Sequence, residues 1–207
     1  MSLAVYEKTP PPGVAVYTGD SGCHLTVSEL GEGPIVIAFR GSDSLVDWMF
    51  NLAHFKTTGV FLQHSRVHAG FLLQYEDIRF QLLDDLALRI CPHMFPRILL
   101  VTGHSSGGAL ATLCALDLAR KYPTMTVDCR VFGSPRVGDA SFVELVNHQH
   151  NLSVQRTSNR FDLISQVPYF GFVHLPNVRI LDDPDIRWFQ FWKSHDLQQI
   201  YARYSAL

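Results

Sequence analysis

Two rhythms of apolar and polar positions run along the chain. Ile35-Val36-Ile37-Ala38-Phe39, Ile98-Leu99-Leu100-Val101 and Val127 to Phe132 are short apolar runs that predict strands, the first continuous enough to be buried on both faces. Between them, Leu72, Tyr75, Ile78, Phe80, Leu82, Leu83, Leu86 and Ile90 recur at helical spacing and predict a long helix over 72–90, ended by Cys91-Pro92. Ala109-Leu110-Ala111-Thr112-Leu113 opens a second helix, and Asp139 can cap a third that runs to about His148. Leu45, Trp48, Met49 and Leu52 mark a short amphipathic helix, with Asp47, Asn51 and His54 towards its other side. At the start, Val14 to Tyr17 and His24 to Val27 flank the turn Gly19-Asp20-Ser21-Gly22 and predict a hairpin. Leu152 to Arg156 and Val178 to Leu181 predict further strands, and a last helix is expected from about His195 to Tyr204. Strands alternating with helices give an α/β fold, with a mostly parallel central sheet covered on both faces.

Thr9-Pro10-Pro11-Pro12-Gly13 cannot continue a helix or a central strand. It divides an N-terminal arm, 1–13, from a single domain over 14–207. A chain of 207 residues suits one domain with a sizeable core. Hydrophobic residues make up 47 % and charged residues only 17 %, so more apolar surface than usual must be hidden or used. The net charge of −2 and the lack of a Lys/Arg block argue against a nucleic acid partner. Met1 to Glu7 have neither the basic start nor the apolar stretch of a secretory signal, and no run reaches membrane-spanning length. A soluble, cytoplasmic protein is therefore favoured, with secretion left open, since a signal already removed leaves no trace. Cys23, Cys91, Cys114 and Cys129 are too far apart for a zinc site and permit disulfides without demanding them; Cys114 and Cys129 fit small buried hydrophobes. No metal or cofactor is expected, and the oligomeric state is not encoded in any pattern.

The candidate chemistry begins at Gly103-His104-Ser105-Ser106-Gly107-Gly108, which lies between a predicted strand and a predicted helix. A Gly-x-Ser-x-Gly turn in that setting is a nucleophile elbow: the serine is held on a sharp turn so that its hydroxyl projects from the top of the sheet. Gly103 and Gly107 stand where a side chain would collide with strand or helix, and Gly108 allows close packing of the helix start. A phosphate-binding loop is the alternative, but no Lys follows the glycines and no Gly-x-Gly-x-x-Gly spacing is present. Ser105 is the candidate nucleophile.

A serine hydroxyl needs a base, and the base needs a carboxylate, in the chain order Ser, acid, His. His148 and His150 sit at a polar helix end, and His174 lies in an apolar irregular stretch, as a packed residue or a second-best base. His195, near the C-terminus, fits the base. Among the acids, Asp117, Asp128 and Asp139 each have a structural use, Asp182, Asp183 and Asp185 form a charged loop, and Asp196 adjoins the base too closely. Asp162 follows a predicted strand at the end where the other catalytic loops gather, and is the candidate acid.

Ala38-Phe39-Arg40-Gly41-Ser42, Val67-His68-Ala69-Gly70-Phe71, Gly103 to Ala111 and Phe132-Gly133-Ser134-Pro135-Arg136-Val137-Gly138 together resemble the fungal-type (class 3) lipase family. The resemblance is firmest from about Ile35 to Val137 and extends more weakly through Asp162 and His195. It implies an α/β-hydrolase fold and a Ser105, Asp162, His195 triad that cleaves carboxylic esters of lipids through an acyl-enzyme. It also implies an oxyanion hole made by the backbone N–H groups of Ser42 and Ser106. Two departures stand out: Ser106 replaces the family's usual leucine, and Leu163 to Val167 follow the acid where the family often has a proline-containing segment.

In such lipases a lid follows the first oxyanion loop, which gives Leu45, Trp48, Met49 and Leu52 two readings, a lid face or an ordinary core face. Trp188-Phe189-Gln190-Phe191-Trp192 is too aromatic for one face of a strand. Trp188, Phe191 and Trp192 would line an acyl groove or a membrane-contact rim, or pack inside. The expected partner is a lipid ester, with room for transient contact with a membrane or lipid-droplet surface. A phospholipase or lipid acyltransferase would use the same triad. A catalytically silent lipid-binding member is the remaining alternative.

Overall fold

A computed structural model describes residues 12–29, 31, 33–41, 55–90, 98–182 and 195. The opening hairpin forms as β1 (Ala15–Thr18) and β2 (His24–Glu29), joined by a turn that Asp77 braces by accepting from both the main-chain and side-chain donors of Ser21. β3 (Ile35–Phe39) is buried at every residue, as its unbroken apolar run requires. β4 (Lys56–Thr57) and β5 (Val67–His68) make a small separate antiparallel pair.

Next comes α1 (Ala69–Ile90), which starts three residues before the expected Leu72. His68-Ala69-Gly70-Phe71 carries no capping residue or proline to mark a boundary. The start is set instead by tertiary bonds, His68 N–H to Val137 O and Ala69 N–H to Phe55 O, both 2.9 Å. Phe71, Tyr75, Ile78, Leu82 and Leu86 are fully buried at spacings of three and four, the stripe of an amphipathic helix. Phe80, counted with that stripe in the sequence, falls off it and is 71 % exposed; its ring stands 5.5 Å from the Arg79 guanidinium. The Leu45 to Leu52 helix lies outside the described residues.

β6 (Ile98–His104) leads through the elbow into α2 (Ser106–Lys121), whose residues from Ser106 to Ala119 are all buried. A helix apolar all round belongs in the core. Its one internal carboxylate, Asp117, accepts from Tyr75 Oη at 2.8 Å and from Arg79 Nε and Nη2 at 2.6 and 2.9 Å, so the charge is buried with its partners and ties α1 to α2. Cys114 and Cys129 are buried free thiols, as is Cys23, and burial pushes all three thiols up, Cys23 to about 12. Cys91 lies outside the described residues.

β7 (Thr126–Phe132) alternates, burying Val127, Cys129 and Val131 against α2 while Arg130 faces out and pairs with Asp128. Asp139 caps α3 (Ala140–Asn147) by accepting from Phe142 N–H at 3.0 Å. β8 (Leu152–Asn159) runs three residues past the expected Arg156, because its polar end Thr157-Ser158-Asn159 still pairs with β9 (Val178–Leu181). Neither β-branched content nor alternation announces that extension; the neighbouring strand supplies it.

The sheet order is β1-β2-β3-β6-β7-β8-β9, antiparallel up to β3 and parallel from β3 onward. The steps β3 to β6, β6 to β7 and β7 to β8 all move the same way, so right-handed crossovers put α1, α2 and α3 on one face. On the opposite face, Arg130, Ser153 and Gln155 are exposed. Because β3, β6, β7 and β8 are parallel, the loops after Phe39, His104, Phe132 and Asn159 all emerge at one edge, where an open α/β sheet places its site.

Candidate active site

Ser105 is the corner between β6 and α2, with φ 59° and ψ −129°. A non-glycine residue held there is strained, and the surroundings must over-determine it. They do so with two main-chain bonds, Ser105 N–H to Phe132 O at 3.0 Å and Gly108 N–H to Ser105 O at 2.9 Å, and with contacts too close for any side chain. A Cβ on Gly103 would come within 2.2 Å of Gly107 O, and one on Gly107 within 2.6 Å of Phe39 O. One on Gly108 would meet Ser134 Cβ at 2.8 Å. The elbow's glycines are steric necessities, and Gly107 seats the helix directly against the end of β3.

Asp162 comes from the turn after β8 and is fully buried. Its Oδ1 accepts from Ile164 N–H at 3.0 Å and Ser165 N–H at 3.2 Å, while Ser165 Oγ donates back to Asp162 O at 2.8 Å. Ser158 Oγ in turn donates to Ser165 Oγ at 2.8 Å. The following loop is held from the neighbouring loop after β7: Arg136 N–H bonds Val167 O at 2.8 Å, and its Nη1 bonds Gln166 O and Pro168 O. Leu163 to Val167, the departure noted in the sequence, is thus a clamped segment that includes a short 3₁₀ turn over Ile164–Gln166.

His195 closes the constellation. Its Nδ1 is 2.9 Å from both carboxylate oxygens of Asp162, and its Nε2 is 2.7 Å from Ser105 Oγ. A carboxylate can only accept, so Nδ1 carries the hydrogen of the neutral ring and Nε2 presents a lone pair to the serine hydroxyl. Ser105 is 5 % exposed, Asp162 wholly buried and the His195 side chain 18 % exposed, so the chain of bonds runs inward from a partly open base. This arrangement can take a proton from Ser105 and hold the resulting imidazolium against a buried carboxylate.

The other candidates separate cleanly. Asp117, Asp128 and Asp139 are engaged in the structural contacts given above, and His148 caps the end of α3. Ser106 is the first residue of α2, and the first-turn N–H groups of a helix point out from its N-terminus. Ser42, Leu45, Trp48, Met49, Leu52, Trp188, Phe191 and Trp192 lie outside the described residues. Ser158, Ser165 and Arg136 were not singled out in the sequence. Only Arg136 had a signal there, as part of the Phe132 to Gly138 motif. Among the described residues no His, Cys, Asp and Glu cluster could hold a metal ion, and no helix is long and apolar enough to cross a membrane.

His174 is a packed residue rather than a base: its Nε2 donates to Ser165 O, behind the acid. Burial pushes its pKa down from 6.5 to about 4, with Arg156 and then Arg136 adding to the shift and the Ser165 bond opposing it. Since the unfolded chain takes up this proton first, the stability is intact above about pH 6.5 and drains as pH falls towards 4, by about 2–3 kcal/mol. His174→Gln keeps a donor and does not titrate, so its urea midpoint should fall less than that of the unaltered protein between pH 7 and 4. Parallel curves would show that His174 contributes nothing to the acid sensitivity.

A family model described as lipase (class 3) matches residues 36–172. In sequence the chain is similar to a lipase of Rhizomucor miehei, 34 % identical over 149 residues that cover 69 % of this chain and 40 % of that protein. It is also similar to the chloroplastic phospholipase A(1) DAD1 of Arabidopsis thaliana, 34 % identical over 160 residues, covering 69 % of this chain and 35 % of that one. In structure it is similar to a triacylglycerol lipase whose catalytic centre is a serine protease triad, with a TM-score of 0.73 and 28 % identity, covering 82 % of this chain and 66 % of that one. The chain spans about two fifths of the length of the curated relatives it matches.

Proposed function

The chain belongs to the class 3 lipase family and has the α/β-hydrolase fold, and on that footing we propose that it hydrolyses carboxylic esters of lipids through an acyl-enzyme on Ser105. The observation that carries the reading is the unbroken chain of hydrogen bonds from Asp162 through His195 to Ser105 Oγ. Ser105 Oγ attacks the ester carbonyl carbon as His195 Nε2 takes its proton. The carbonyl becomes an oxyanion, stabilised by N–H groups of Ser106 and Ser42 and by the positive end of the α2 dipole. As the carbon–oxygen bond to the alcohol breaks, His195 returns the proton to the leaving oxygen. Water, deprotonated by the same nitrogen, then attacks the acyl carbon, and His195 passes that proton to Ser105 Oγ as the ester bond to the serine breaks and the fatty acid leaves. Asp162 keeps the hydrogen on Nδ1 and stabilises the imidazolium without itself taking the proton. The Leu45 to Leu52 stretch and the aromatic stretch before His195 would meet the aggregated lipid from which such a substrate is drawn.

Similarity to a phospholipase A(1) at the same level of identity supports a second reading, in which the ester belongs to a phospholipid. Fatty-acid release from a triacylglycerol emulsion, from phosphatidylcholine vesicles and from p-nitrophenyl butyrate, each against a Ser105→Ala blank, distinguishes them. The acylglycerol should be turned over faster per lipid than the phospholipid. Faster phospholipid turnover would transfer the assignment to the second reading, and no release above the blank from any ester would end both.

A further inference from the structure

His104 and Ser105 are consecutive residues at the end of β6, and both reach His195. Ser105 Oγ meets the imidazole at Nε2. His104 Nε2 lies 2.7 Å from the main-chain oxygen of His195. A carbonyl oxygen only accepts, so this nitrogen of His104 carries a hydrogen. The two rings also pack, with centroids 4.7 Å apart and planes inclined at 37°. His104 is 8 % exposed, and no step of the ester hydrolysis has yet given it a task.

The need for such a contact follows from the geometry of the base. Asp162 and Ser105 hold the two nitrogens of the His195 ring, and a ring held only at those points can still pivot about the line between them. Two rotatable bonds then let the main chain of His195 shift while the ring tilts out of line with Ser105 Oγ. A bond to the His195 carbonyl fixes the main chain, and a second ring against the first limits the tilt. Because the tether and the nucleophile are neighbours on one strand end, any displacement of the elbow carries both contacts together and preserves their spacing.

We propose that His104 is a positioning residue for His195, tethering its main chain through the Nε2–H bond and buttressing its ring. The proposal rests on the reading of Ser105 and His195 as nucleophile and base. Proton transfer is sensitive to this kind of alignment, since a base must stay within about 0.5 Å and 10–20° of its productive position.

The test compares His104→Phe, His104→Met and His104→Gln with the unaltered protein, using p-nitrophenyl butyrate. Each rate is divided by the sites titrated to completion with a fluorophosphonate, and each thermal midpoint is measured. Phe and Met cannot donate, and should lower kcat per titrated site by about 10²-fold while KM stays within about twofold. Gln can donate at similar reach and should recover kcat to within about fivefold. Should the Phe variant fail to fold, the comparison of Met with Gln carries the same test. The proposal is overturned if Phe and Met keep kcat per site within about twofold of the unaltered protein, or if Gln is as slow as they are. A purely structural role would lower the thermal midpoint and the titrated fraction with the rate per site unchanged, which also overturns it. Loss of the underlying reading has a separate signature: Ser105→Ala would then turn over the ester as fast as the unaltered protein.

Discussion

Ser105→Ala should lower kcat for the proposed ester hydrolysis by about 10⁶-fold, the loss expected when the nucleophile of a serine triad is removed. The substitution is clean because the strain at this corner belongs to the backbone. Serine and alanine both carry a Cβ, so φ 59° costs each of them similarly, and the elbow is held by the main-chain bonds to Phe132 and Gly108 that the variant retains. The thermal midpoint should therefore move by no more than a few degrees, since a single hydroxyl at a 5 % exposed position is all that leaves. Labelling by a fluorophosphonate should vanish with the activity, because only an activated serine reacts. Initial rates, a thermal melt and the label form one experiment. A variant within about tenfold of the unaltered rate would remove Ser105 as nucleophile, whatever the melt shows.

The elbow was legible in the sequence because its demands are local. Gly103, Gly107 and Gly108 are required by contacts within a few residues or to the adjacent strand, and the apolar runs on either side fix a strand and a helix whatever the rest of the chain does. His195 and Asp162, the candidate base and acid, were reached by a different route, chain order and elimination, and the structure brings both to Ser105; elimination was open because Asp117, Asp128 and Asp139 had recognisable structural uses. What holds the acid was not legible. Ser165 and Ser158 look like any loop and strand-end serines, and Arg136 acts on main-chain carbonyls of Gln166 and Pro168 some thirty residues away. A bond from a side chain to a distant carbonyl leaves no mark on the residue that accepts it. The early start of α1 and the polar end of β8 escaped for the same reason, since each is set by a partner strand or loop and not by its own composition.

That hidden support decides how the acid should respond to change. Asp162→Asn keeps the shape of the side chain and an oxygen that can accept from Ile164 N–H and Ser165 N–H, so the clamped turn should persist and the protein should fold. The second oxygen becomes an NH₂ group, 2.9 Å from a nitrogen that until then donated to it. The retained oxygen, also 2.9 Å from Nδ1, already accepts from two main-chain N–H groups, and two donors cannot face each other, so the His195 ring moves its hydrogen to Nε2 and turns a lone pair towards the new amide. The nitrogen facing Ser105 then has a hydrogen where it needs a lone pair, and the base is disabled by its tautomer while every heavy atom stays in place. The expected loss is about 10⁴ in kcat, smaller than for Ser105→Ala because the nucleophile, its elbow and the oxyanion donors all survive. Fluorophosphonate labelling should slow in parallel with kcat, with the thermal midpoint nearly unchanged, because both reactions draw on the same base. If Asp162→Asn cost less than about tenfold in a folded protein, the tautomer of His195 would have to be held by another group, and Asp162 would be a turn residue that only happens to face the ring.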